Sequence, residues 1–224
     1  MQLYKKFEPN VKETTIDWRV YKLVQSGVLS RIGRGKFTLG QGKNYVPPIS
    51  SRLKKIYGKL HKQFPCLQIC VWHTSLLNEF MQHQPGRFYT LAEAEKDAME
   101  NVFYFLKEHK HNVLLNPSAE ALSRYGSGEK ETTIVKPLVS EAPMQKVNDV
   151  QTLTLEKMLA DIFCDVTIFA SQQGNEMQTI FREAYNRYTI HESRMLRYAD
   201  RRGKKELFDQ YLSKVSKFHR RRRY

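Results

Sequence analysis

The sequence predicts an α+β fold: an N-terminal winged helix-turn-helix over residues 1–45, then a small α/β domain with a helical C-terminus over 46–224. Three observations predict it. Residues 14–39 run as an amphipathic helix, a glycine stop, and two short strands around a glycine turn. Residues 40–48, GQGKNYVPP, break structure with Gly, Asn and two prolines, and read as a linker. Beyond them strands and helices alternate, and from residue 152 onward only helical periodicity remains.

Each element follows from local pattern. Residues 1–8 read as a short helix with Leu3, Tyr4 and Phe7 apolar, ended by Pro9 and Asn10. A second helix opens at Thr14, where Thr14 and Asp17 resemble a capping box, and Gly27 stops it. Ile16, Val20, Leu23 and Val24 form its apolar side. Thr15, Trp18, Arg19, Lys22 and Ser26 form a basic side with one aromatic. In the following hairpin Leu29, Ile32, Phe37 and Leu39 are expected to face the core. Arg31, Arg34 and Lys36 are expected outside and at the tip, with Gly33 and Gly35 permitting the turn.

The second domain reads as a helix over 49–63, a strand over 66–73, a short helix over 76–82 and a brief strand at Phe88 and Tyr89. A long helix over 91–109 follows, then a buried strand over 112–116 and a helical turn over 118–124. TTIVKPLV, 132–139, reads as an edge strand, because Pro137 cannot donate to a ladder. Four helices complete the chain, at about 154–165, 175–188, 191–202 and 204–217. The closing HRRRRY reads as a charged tail.

Composition narrows the function classes. The chain has 224 residues and a net charge of +14. The excess is local: residues 1–45 carry +6, residues 46–190 carry zero and residues 191–224 carry +8. A neutral body between basic ends points to a polyanion contacted by the ends. No run of about 18 apolar residues could span a membrane. MQLYKKFEPN lacks a signal-peptide core, so a cytoplasmic location is expected. Cys66, Cys70 and Cys164 are expected as reduced thiols rather than disulfides or metal ligands.

Three segments carry a resemblance. Residues 14–39 hold a Trp-Arg helix, a Gly before an apolar-basic strand, and R-x-G-R-G before an aromatic. Residues 152–165, TLTLEKMLADIFCD, hold a Thr-x-Glu-Lys helix with its following Asp. Residues 195–203, MLRYADRRG, hold Leu-x-Tyr-Ala-x-Arg-Arg-Gly. In this order they resemble the AbiEi-like antitoxins and transcriptional regulators. The resemblance implies a regulator that represses its own promoter through the winged helix. It also implies antagonism of a nucleotidyltransferase-like toxin in an abortive-infection module. The family normally carries a further helix before the wing, and only two fit here.

The expected DNA-binding residues are Thr15, Trp18, Arg19 and Lys22 on the helix and Arg31, Arg34 and Lys36 on the wing. Arginine reads guanine through bidentate bonds, and wing cations meet phosphate. Trp18, at the edge of the helix face, is expected to pack under the wing. Arg194, Arg197, Arg201 and Arg202 form a basic helix for DNA backbone or an acidic partner, a solvated face being the alternative. Glu156, Lys157 and Asp161 read as a charged helical face for structure or partner contact.

No catalytic residue, metal or cofactor is expected. Gly126-Ser127 is followed by no paired acids for nucleotidyl transfer. Glu108-His109-Lys110 has a nuclease's letters but lies at a helix end, and no set of carboxylates converges as two-metal chemistry needs. A nuclease-like enzyme acting through the α/β domain is the alternative.

Overall fold

The computed structural model describes residues 11–26, 28–33, 35–39, 43–109, 112–125 and 131–221. The readings of a helix over 1–8, a stop at Gly27, a tip at Arg34 and a Gly126-Ser127 turn lie outside these residues.

The first element is α1, Glu13–Gln25. It starts one residue before Thr14, and its N-cap is Lys12, which makes no side-chain capping bond. Thr14 is therefore inside the helix, and the expected capping box does not form. Ile16 is buried, with Val20, Leu23 and Val24 half-buried beside it. Strands β1, Leu29–Gly33, and β2, Lys36–Leu39, form an antiparallel hairpin against α1. Gly35 takes φ +68° in its turn, a conformation that side-chain-bearing residues rarely adopt.

The segment that follows is docked. The Lys43 carbonyl accepts a bond from the Thr189 amide at 3.0 Å. Tyr45 and Pro47 are buried, and the Tyr45 ring packs on Phe80 and Tyr188. Part of the 40–48 stretch, expected as a linker, thus packs into the core around Phe80 and Tyr188.

Helix α2, Ser51–Gln63, is capped by Ser50, whose side chain accepts from the Leu53 amide at 3.2 Å. It buries Leu53, Ile56 and Leu60 at helical spacing. Then come β3, Ile69–His73, a 3-10 turn at Thr74–Glu79, β4, Tyr89–Ala94, α3, Met99–His109, β5, Val113–Leu115, α4, Ala119–Tyr125, and β6, Thr132–Pro137. The strands form a sheet in the order β3–β4–β6–β5, with β3 antiparallel to β4 and the other neighbours parallel.

Two expectations are corrected here. Residues 91–94 are strand, not the start of a long helix, because the register of β4 with β3 and β6 outweighs the helix preference of Ala and Glu. β6 lies between β4 and β5, not at an edge. Pro137 is tolerated because it is the last strand residue, and Leu138 supplies the next amide, to the Ala94 carbonyl at 2.7 Å. A further hairpin, β7, Met144–Val147, and β8, Val150–Leu153, turns at Asn148 and Asp149, both at positive φ.

The C-terminal helices are α5, Leu155–Cys164, α6, Asn175–Arg187, α7, Glu192–Arg201, and α8, Lys205–Arg221. Helices α2 and α3 cover one sheet face through Ile69, Val71, Ala92 and Val135. Helices α5 to α8 cover the other through Trp72, Leu91 and Ile134. Gly203, at φ +66°, ends α7: its amide bonds the Asp200 carbonyl and the Lys204 amide bonds the Ala199 carbonyl, both at 2.9 Å. Among the described residues no helix is long and apolar enough to cross a membrane.

Candidate nucleic-acid interface

The expected groove-facing residues lie along one flank of α1. Lys22 is exposed, and Thr15 and Arg19 are half-buried where that flank meets the apolar side. Trp18 is 59 % exposed, so it does not pack under the hairpin as expected. It stands about 200° around the helix from Ile16 on a 3.6-residue repeat, with the Lys22 Nζ over its ring at 5.0 Å. Tyr21 beside it is 60 % exposed.

On the hairpin, Arg31 pairs with Phe37 across the strands, so both side chains emerge on one face. Arg31 is exposed, as expected of a hairpin cation, although it shares a face with the half-buried Phe37. Leu29 and Arg31 keep the two-residue alternation, and the register becomes irregular only between Arg31 and Gly33. Arg31 and Phe37 line a largely apolar groove of about 490 Å³ with Ile16, Val20 and Val24 of α1. Arg34 lies outside the described residues, and for Lys36 only the strand backbone is described.

The C-terminal arginines separate into two kinds. Arg194, Arg197 and Arg201 are exposed on α7. Arg201 Nε donates to Glu141 Oε1 at 3.1 Å. Arg202, by contrast, has a side chain only 14 % exposed, and its guanidinium donates to Asp161 Oδ1. It is a structural ion-pair partner, not part of a basic surface.

Arg202 belongs to a buried network that the sequence reading placed on a surface. Glu156, Lys157 and Asp161 are all buried. Lys157 Nζ donates to Glu93 Oε1 and Oε2 at 2.7 and 2.8 Å and to Asp161 Oδ2 at 2.6 Å. Trp72 Nε1 donates to Glu93 Oε1 at 2.8 Å, and the Tyr198 hydroxyl to Asp161 Oδ1 at 3.0 Å. Glu156 Oε1 accepts from the His191 amide at 3.0 Å. Beside them Lys136 Nζ donates to Asp165 Oδ2 at 2.6 Å.

Burial opposes the Lys157 ammonium, but the Asp161 and Glu93 carboxylates outweigh it and hold the pKa well above the ordinary lysine value. Burial likewise opposes the Asp161 carboxylate, and Lys157, Lys136 and Arg202 together hold its pKa below the ordinary value. Glu93, Asp161 and Asp165 match Lys157, Arg202 and Lys136 in number, and Glu156 is met by the His191 amide, so the cluster is closed. It holds α5 and α7 to the sheet.

A polar cluster lies at the other end of β4. Ser75 Oγ is 2.6 Å from His73 Nδ1, and His73 Nε2 is 3.3 Å from Glu131 Oε1. Glu131 also bonds Thr90 and, at 2.5 Å, Arg52. The Ser75 amide donates to the same His73 Nδ1 at 3.4 Å, so the ring caps the 3-10 turn and that amide is engaged there. A groove of about 470 Å³ near this end is lined by Arg87, Tyr89, Ser123 and Gln172, among others.

Among the described residues no group of three or more His, Cys, Asp or Glu side chains could hold a metal. Cys66, Cys70 and Cys164 form no disulfide, and Cys66 alone is exposed. Glu108 and His109 end α3, with His109 Nδ1 2.8 Å from the Phe105 carbonyl oxygen.

None of the curated proteins compared with this chain matches it. A family of unknown function, DUF6577, matches residues 15–217, from within α1 to within α8, and the chain belongs to that family.

Proposed function

We propose that this chain binds double-stranded DNA through α1 and the β1–β2 hairpin and regulates its own promoter. The observation that carries this is the basic flank of α1, with Arg19 and Lys22 beside an exposed Trp18 and a hairpin packed on the same helix. An α-helix fits the major groove of B-DNA, about 12 Å wide. Arg19 is suited to a bidentate bond to a guanine edge. Lys22 and the hairpin cations Arg31, Arg34 and Lys36 supply phosphate contacts, which position the protein without reading sequence. The exposed Trp18 and Tyr21 add flat apolar area beside those charges.

The antitoxin role, opposing a nucleotidyltransferase-like toxin, rests on the resemblance of residues 14–39, 152–165 and 195–203. In that reading Lys157, Asp161, Tyr198 and Arg202 maintain the fold rather than act on a substrate.

Fluorescence anisotropy with the chain's own upstream DNA tests the proposal. Losing a base-reading arginine costs about 1–3 kcal/mol, so Arg19→Ala with Arg34→Ala is expected to weaken binding at least about fivefold. Unchanged affinity would contradict it.

A further inference from the structure

We propose that α7 forms a second half of the same DNA-binding surface, with Arg194 and Arg197 contacting the phosphate backbone. This rests on the reading that α1 and the hairpin bind duplex DNA. The two basic ends of the chain hold its whole charge excess, and the fold brings one element of each together. Strand β1 lies against α7, with Cα atoms of the two within 8 Å.

On α7 the buried side is Met195, Tyr198 and Ala199. Arg194, Arg197 and Arg201 project from the other side, at spacings of three and four residues. Neighbouring charges remove part of the excess: Arg201 pairs with Glu141, Arg202 with Asp161, and Asp200 with Lys205. Arg194 and Arg197 take part in no ion pair among the described residues, and both are exposed. Side chains three apart on a helix sit about 5–6 Å from each other, facing a polyanion with one charge per about 1.7 Å of axis. Continuity with the hairpin favours the duplex bound by α1 over a separate acidic protein.

The test is the salt dependence of full-chain binding to a mixed-sequence duplex of about three helical turns, between about 50 and 200 mM salt. Each phosphate contact adds about 0.9 to the slope of log K against log salt, so Arg194→Ala with Arg197→Ala lowers it by about 1.8. Arg194→Lys with Arg197→Lys retains the slope, because lysine keeps the charge. Lys59→Ala with Lys62→Ala, exposed on α2 behind the opposite sheet face, leaves it unchanged.

An unchanged slope in the double alanine variant, with the unaltered chain binding DNA, overturns this inference and leaves the α1 reading intact. An equal drop in the α2 variant also overturns it, since the effect would then be diffuse charge. Polyglutamate binding as tight as duplex binding assigns the face to acidic protein and overturns it. No duplex binding by the unaltered chain overturns both readings.

Discussion

The Lys157 ammonium is held by both oxygens of the Glu93 carboxylate, at 2.7 and 2.8 Å, although the residues stand 64 positions apart in the chain. Glu93 comes from the middle of the sheet and Lys157 from the first turn of α5. Asp161, one turn further along α5, receives Lys157 on one oxygen and Tyr198 with Arg202 on the other. Segments 152–165 and 195–203, distant in sequence, therefore meet on one carboxylate.

Removing Lys157 leaves the Glu93 carboxylate buried without a cation and facing Asp161, whose remaining ion pair is with Arg202. Breaking a buried pair costs about 3–5 kcal/mol, so Lys157→Met is expected to destabilise by that amount in urea denaturation. A cost below about 1 kcal/mol would mean that water reaches the acids.

Two arginines five positions apart should differ sharply. Arg202→Ala removes a partner of buried Asp161 and is expected to cost about 3 kcal/mol. Arg197→Ala removes an exposed charge and is expected to change stability by no more than about 0.5 kcal/mol. Parallel thermal melts compare the two directly.

The same network sets the pH dependence. The folded Asp161 pKa is lowered, so its contribution is present above the unfolded carboxylate value of about 3.9 and is lost as pH falls through the folded value. The folded Lys157 pKa is raised, so its contribution is present below about 10.4 and is lost as pH rises through the folded value. Urea midpoints are expected to fall on acidification below about pH 4. Asp161→Asn should reduce that fall, and an equally steep acid limb in the variant would assign it to other carboxylates.

Thiol chemistry offers an independent check of the core. Cys66 is exposed. Burial pushes the Cys70 and Cys164 thiols up, which suppresses the reactive thiolate. A thiol reagent at neutral pH is expected to modify Cys66 in the native protein and all three cysteines only after unfolding. Native-state modification of Cys70 would contradict its place in β3.

Much of this arrangement was legible in the sequence. Helix α1 and the glycine-turn hairpin follow from periodicity and turn chemistry, as do α2, α5 and α6. Asn148 and Asp149, both at positive φ, carry the turn chemistry of the β7–β8 hairpin, which no periodicity over 144–153 announces. Strand β4 was hidden because Leu-Ala-Glu-Ala favours helix locally, and only its pairing with β3 and β6 overrides that. The burial of Lys157 and Asp161 had one available signal. Around them Leu155, Met158, Leu159, Ala160, Ile162 and Phe163 make α5 apolar on nearly every side, the pattern of an interior helix. The partners Glu93 and Arg202 come from elsewhere in the chain, so helical spacing alone could not name them. Arg31 was legible as an exposed cation, but its sharing a face with Phe37 is set by the strand register, which composition does not name.

The most direct test of DNA regulation is a mobility shift of the full chain on its own upstream DNA and on a length-matched scrambled duplex, at physiological salt. Tighter binding to the upstream sequence by about 10³-fold, the low end of specific recognition, is the predicted result. Equal affinity for the two duplexes, or none for either, would contradict it.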